Sequence, residues 1–204
     1  VPYSHKQSNN AHPILRPLTR RWSPYGYSDE PVTHAELRSI FEAARWAASA
    51  FNEQPWRFVV GTREQPEAHE KILSCLVEAN QAWARHAPVL VLCCVSRRFA
   101  RNDKDNRAAE HDLGLATGNL MAEASERGLL VHAMAGVELE KAATAHALPD
   151  GFEVWTALAI GHPGKPKDLE PGVLARDDKP RERRPLSELV FEGEFGQAAS
   201  WLEG

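Results

Sequence analysis

Two short runs carry arginines in a pattern suited to gripping a phosphate. One is Arg20-Arg21-Trp22-Ser23-Pro24-Tyr25 near the start, the other Arg181-Glu182-Arg183-Arg184-Pro185 near the end. Guanidinium groups stay charged, and their planar fork donates two parallel hydrogen bonds to anionic oxygens. Taken alone, either run is better read as a solvated charged surface. Between them, residues 48 to 56 read ASAFNEQPW. Small residues there let backbone come close to a ligand, and the Asn52 and Gln54 amides offer both donors and acceptors. The same composition also suits a plain helix-to-strand connection. Asn80 lies beside apolar positions and needs a partner if buried. Gly136, after His132-Ala133-Met134-Ala135, permits close backbone passage or simply a turn.

Other chemistries lack their anchors. The nine histidines are scattered without HExxH spacing, and no CxxC accompanies them, so a metal site is not expected. GxSxG, GxxxxGK and GxGxxG are all missing. His111-Asp112 are neighbours in a helix and point different ways, which favours a surface or capping role over an acid/base pair.

The elements that must position these groups follow from periodicity. Thr33 and Glu36 have capping-box spacing, and Leu37, Ile40, Phe41 and Ala44 share a face, predicting a helix over 34–48. RFVVGT reads as a strand, and residues 66–84 as one helix carrying Ile72, Leu73, Leu76 and Trp83. VLVLCCVS is a second strand. A long helix over 107–127 presents Leu113, Ala116, Leu120 and Ala124 and stops at Gly128. LLVHAM is a short extended piece, ELEKAATAHAL a short helix and EVWTALAIG another strand. Strands separated by helices point to an α/β fold, with strand order and direction left open.

With 204 residues and 43% hydrophobic content the chain suits one domain with a real core. A net charge of -4 gives no general reason to bind nucleic acid or anionic membrane. Its longest apolar stretch, APVLVLCCV, is too short to span a bilayer. Three cysteines, two adjacent on a strand and facing opposite ways, suit a reducing cytoplasmic setting. Residues 1–19 read as an arm, 20–165 as the domain, and 166–204 as a charged extension of it. Within that extension RERRPLSELVFEGEFG alternates charged and apolar residues, as a docking segment does.

In order and spacing these pieces resemble the FMN-dependent nitroreductase family, from about residue 20 to about 196. The likeness rests on the Arg-x-Ser turn, Asn-x-Gln-Pro-Trp, Asn80, the long helix ending ERGL, AIGHP and RRPLSELVFEGEFG, the NEQPWRF turn being most telling. It implies a mixed central sheet flanked by helices, in a homodimer with FMN at the subunit interface and the C-terminal extension docked on the partner. It assigns Arg21, Trp22 (through its backbone) and Ser23 to the flavin phosphate and ring edge, and Arg181 and Arg183 to the phosphate. Ala48, Ser49, Ala50 and Asn52 would line the flavin, Asn80 its pyrimidine edge, and Ala133, Met134, Ala135 and Gly136 the ring near N5. The implied activity is hydride transfer from NADH or NADPH through FMN to a small acceptor, a nitroaromatic or quinone, with no essential side-chain acid or base. Tyr25, Ala48 and Trp83 depart from the pattern, standing where the family often has a basic residue, proline and lysine. Trp83 and Phe51 either shape the pocket or pack as core. A ligand-binding protein on the same scaffold without turnover is the alternative, and a metal-dependent hydrolase a third.

Overall fold

The computed structural model describes residues 3–202; residues 1, 2, 203 and 204, the tips of the expected arm and extension, lie outside the described residues. Helix α1 (Arg16–Arg20) carries Pro17 in its first turn, where a missing N–H costs nothing. Helix α2 (His34–Arg45) starts where the spacing predicts. The Thr33 hydroxyl accepts from the Glu36 amide and the Glu36 carboxylate accepts from the Thr33 amide, a reciprocal cap worth about 1 kcal/mol. It ends three residues earlier than expected, because Ala47 to Asn52 leave helical geometry to build the turn.

Strand β1 (Trp56–Thr62) leads to α3 (Pro66–Leu73) and α4 (Glu78–Ala84). Residues 66–84 are therefore two helices, not the single one expected. The reason is tertiary: Leu76 bridges Val137, the Val77 amide donates to the Gly136 carbonyl, and the Glu138 amide donates to the Cys75 carbonyl. Backbone groups at residues 75–77 that would have continued the helix are engaged elsewhere. Strand β2 (Val89–Ser96), helix α5 (Ala109–Glu126), strand β3 (Leu130–Met134), helix α6 (Leu139–Ala145), strand β4 (Phe152–Gly161) and helix α7 (Pro171–Asp177) complete the order. Gly128 sits at φ 81°, the left-handed stop after α5.

The sheet runs β1-β2-β4-β3, and all three pairings are antiparallel, so within this chain the strands are uniform in type and not mixed. Because β2 is buried on both faces, alternate residues feed two cores. Val89, Val91, Cys93 and Val95 pack with α2 and α5 on one side. Leu90, Leu92 and Cys94 pack with α3, α4 and α6 on the other. The predicted stripe of α5 is the centre of the first core: Leu113, Ala116, Leu120 and Ala124 are at most 2% exposed. Each leucine buried there contributes about 1.5–3 kcal/mol.

Candidate functional site

Asp177, at the end of α7, fixes the N-terminal turn from the far end of the chain. Its carboxylate accepts from the amides of Tyr25 and Gly26, each at 2.9 Å at the shorter contact. Burial holds its pKa above the usual carboxylate range, although both amides favour the charged form. A few residues on, the Arg181 guanidinium donates to the carbonyls of Thr19 at 2.6 Å and Lys6 at 3.1 Å. Lys6 is itself buried and lies 4.8 Å from the Trp22 ring. These contacts clasp the two chain ends together.

The clasp creates a cavity of about 480 Å³ into which Arg21, Arg181, Arg183 and Arg184 project. Its other walls are the 8–14 segment, Leu18, Pro185 and Leu186, and none of the lining residues is acidic. Burial, and next the charge of Arg183, lower the Arg21 pKa; an anion bound beside it would offset both by favouring the charged form. Arg184 is paired with Glu188 at 3.8 Å, which leaves Arg21, Arg181 and Arg183 as the guanidinium groups with no carboxylate partner among the described residues, a set that suits the phosphate of a cofactor tail.

The turn after α2 is built differently. Phe51, Asn52 and Gln54 have φ of 56°, 57° and 51°, conformations that non-glycine residues adopt only when surroundings enforce them. The Ala50 amide donates to the Asp112 carboxylate at 2.9 Å, and the Gln54 amide donates to the Ser49 hydroxyl at 3.0 Å. Asp112 is 3% exposed, so it is a buried anchor and not a surface group. Ala48, Phe51 and Asn52 are exposed, and Ser49 and Ala50 half-buried.

Asn80 stands in the first turn of α4, not late in a long helix, and its Nδ2 donates to the Gly136 carbonyl at 3.1 Å. A Cβ at Gly136 would come within 2.5 Å of that nitrogen, so this approach requires glycine. Ala133 and Ala135 are exposed, whereas the Met134 side chain is buried in the second core. Trp83 is 2% exposed and is core. It meets Tyr25 at 5.1 Å and His132 at 4.5 Å between ring centroids, so two of the three departures from the family pattern touch each other. His132 bonds the Pro24 carbonyl at 2.9 Å, and burial lowers its pKa, which keeps the ring neutral.

The chain thus brings Arg21, Arg181 and Arg183 together, with Trp22 buried and Ser23 half-buried beside them, and joins Asn80 to Gly136. It does not bring the 48–52 turn to the arginines. That turn feeds β1 at one sheet edge while residues 133–136 end β3 at the other, three strand spacings or about 14 Å away laterally. Asp177 was missed and Asp112 was expected only at the surface or as a cap, because an acidic residue carries no sequence signal of its partner, here 151–152 and 62 residues away. Among the described residues no three histidine, cysteine or acidic side chains cluster as a metal would need. No helix among them is long and apolar enough to cross a membrane.

A helix-flanked antiparallel sheet with an arginine cavity made from both chain ends defines an α/β protein equipped to hold an anion. The model of the nitroreductase family matches residues 18–162, and the chain belongs to that family. It is 32% identical over 146 residues to an uncharacterized 15.4 kDa protein of Mycolicibacterium smegmatis, covering 69% of this chain and 97% of the relative. The FMN reductase (NAD(P)H) of Bacillus subtilis is 28% identical over 167 residues, covering 74% of this chain and 66% of the enzyme. A crystal structure of an oxidoreductase containing FMN superposes with a TM-score of 0.84 at 32% identity, covering 94% of this chain and 96% of that one.

Proposed function

We propose that this chain is an FMN-dependent oxidoreductase that works as a cytoplasmic homodimer, drawing electrons from NADH or NADPH and passing them to a small acceptor such as a nitroaromatic or quinone. The observation that carries this reading is the acid-free cavity in which Arg21, Arg181 and Arg183 converge from opposite ends of the sequence. In it the arginines hold the cofactor phosphate, with Ser23 and the Trp22 backbone beside them. Asn80, through its unengaged carbonyl, and the backbone of Ala133, Met134, Ala135 and Gly136 meet the ring edge. Ala48, Ser49, Ala50 and Asn52 supply the opposite wall from the partner subunit, since one chain leaves the two half-sites at opposite sheet edges.

A dimer is favoured by the surface as well. On α5, Gly114 and Gly118 face open space and Leu115 is 40% exposed. In the extension, Leu189, Phe195 and Trp201 are exposed, Phe195 at 96%. Apolar side chains presented this way suit a partner surface, and docking of the extension on the second subunit covers them.

Bound FMN supplies the hydride chemistry, while the protein contributes binding, orientation and a shielded face. No side chain is assigned as acid or base. The purified protein is expected to be yellow and to release flavin on denaturation. Mixing the loaded protein with NADH or NADPH in a stopped-flow instrument should bleach the flavin rapidly. Protein that takes up no FMN refutes the reading. A loaded protein that neither nicotinamide bleaches favours the second reading, a flavin-binding protein without turnover. Tyr25 and Trp83, packed against each other, give that reading its support, because they stand where the family often has a basic residue and where some members carry lysine.

A further inference from the structure

The chain between β2 and α5 folds into a hairpin over the 48–54 turn. Arg98 bridges Asp105, the Phe99 amide donates to the Lys104 carbonyl and the Asp103 amide to the Phe99 carbonyl, which puts residues 100–103 at the tip. The tip is pinned to the turn: the Ala100 amide donates to the Glu53 carboxylate at 2.7 Å, and Phe51 meets Phe99 edge-on at 5.7 Å. Above both rings sits the Arg101 guanidinium, 3.8 Å from the Phe51 centroid and 5.2 Å from that of Phe99.

This hairpin is basic in a chain of net negative charge. Two of its arginines are neutralised, Arg98 by Asp103 and Asp105, and Arg97 by Glu110 and Glu153. Arg101, Lys104 and Arg107 are exposed and have no acidic partner among the described residues. Contact with Phe51 holds the Arg101 guanidinium over the ring while its N–H donors have no protein acceptor among the described residues. Phe51 in turn is 72% exposed and held at a positive φ, beside Asn52. An aromatic residue exposed at such backbone cost, topped by an ordered and unpaired cation, is a recognition element for an anion.

We infer that Arg101, with the exposed Lys104 and Arg107 of the same β2–α5 connection, holds the phosphates of the reduced nicotinamide donor and that the donor's 2′-phosphate makes NADPH preferred over NADH. The inference rests on the proposed flavin reading, which places the 48–52 turn against the cofactor where the nicotinamide must arrive. The hairpin carries three free cations, more than a pyrophosphate needs for charge balance and enough to reward an additional phosphate. A free nitroaromatic or quinone offers nothing comparable.

The test uses FMN-loaded protein, with 2′,5′-ADP and 5′-AMP as probes in titration calorimetry. The parent is expected to bind 2′,5′-ADP, and 5′-AMP roughly 10-fold or more weakly, since a charge-assisted contact is at stake. Arg101→Ala should erase that difference and raise KM for NADPH about 10-fold with kcat unchanged, and Lys104→Ala should do so to a lesser degree. FMN affinity should stay at the parent value in both. Equal binding of the two probes, or an unchanged KM for NADPH in Arg101→Ala, overturns the inference while leaving the flavin reading intact. Loss of FMN affinity in Arg101→Ala also overturns it, because the residue would then act by supporting the turn. A parent protein that takes up no FMN removes both.

Discussion

Replacing Asp177 tests how the two ends of the chain are held together. Its carboxylate accepts from the Tyr25 amide at 2.9 and 3.1 Å and from the Gly26 amide at 2.9 Å, and the residue is 4% exposed. A hydrogen bond to a charged group contributes about 1.5–3 kcal/mol, so two amides give about 3–6 kcal/mol before desolvation of the carboxylate is subtracted. The raised pKa of Asp177 reports that desolvation consumes part of the gain. Alanine also leaves the buried Gly26 amide without its acceptor. For Asp177→Ala the net loss expected in urea unfolding is about 2–4 kcal/mol, and for Asp177→Asn, which keeps one carbonyl acceptor, about half of that.

The pH dependence has a defined sign. A folded-state pKa above the unfolded value means that the folded chain binds the proton more tightly. The Asp177 contribution is then complete below the unfolded pKa of about 3.9 and declines as pH rises through the higher folded value. The gap between parent and Asp177→Ala should therefore narrow from about pH 4 toward neutrality. Because Asp177 orients the turn after Arg21, flavin titration should also show weaker FMN binding in the alanine variant. An alanine variant as stable as the parent, or a gap that widens with rising pH, refutes the reasoning.

Other perturbations separate the remaining parts. Arg21→Ala and Arg183→Ala should each weaken FMN binding by about 10–100-fold and riboflavin binding little; equal losses for both ligands in flavin titration contradict a phosphate role. Gly136→Ala puts a methyl within 2.5 Å of Asn80 Nδ2 and 2.7 Å of Val77 Cγ2, a strain of about 1–3 kcal/mol. Thermal melting should show that loss and its partial recovery on adding Asn80→Ala. Burial pushes the Cys93 thiol up to about 12 and Cys94 to about 11. Since thiolate is the reactive form, a disulfide reagent at about pH 8 should modify neither until the protein unfolds. Raised thiol pKa values also mean stability that holds below the unfolded value of about 8.5 and is lost as pH climbs through the folded ones, so the melting temperature should fall above about pH 9. Rapid labelling of these thiols in folded protein contradicts their placement.

Local pattern alone determined a good deal of this protein. The Thr33 and Glu36 spacing marked the start of α2, the 3.6-residue stripe of Leu113, Ala116, Leu120 and Ala124 marked the central helix, and the adjacent cysteines of β2 went to opposite faces as strand geometry requires. The order of the Arg-x-Ser turn, the NEQPWRF turn, Asn80, the helix ending ERGL, AIGHP and RRPLSELVFEGEFG sufficed to recognise the family. These are properties of residues within a few positions of each other, and local geometry transmits them.

What the tertiary structure decided involves partners far apart in sequence. Residues 75–77 abandoned the helix because residues 136–138 claimed their backbone groups. Asp112, expected at the surface or as a cap, and Asp177, unremarked in the sequence, became buried anchors because folding brought amides 62 and 151–152 residues away within reach. Strand order set the 48–52 turn and the 133–136 stretch at opposite edges, so residues that the family resemblance assigns to one pocket stand apart within one chain. Composition states which groups are present; only packing states which of them meet.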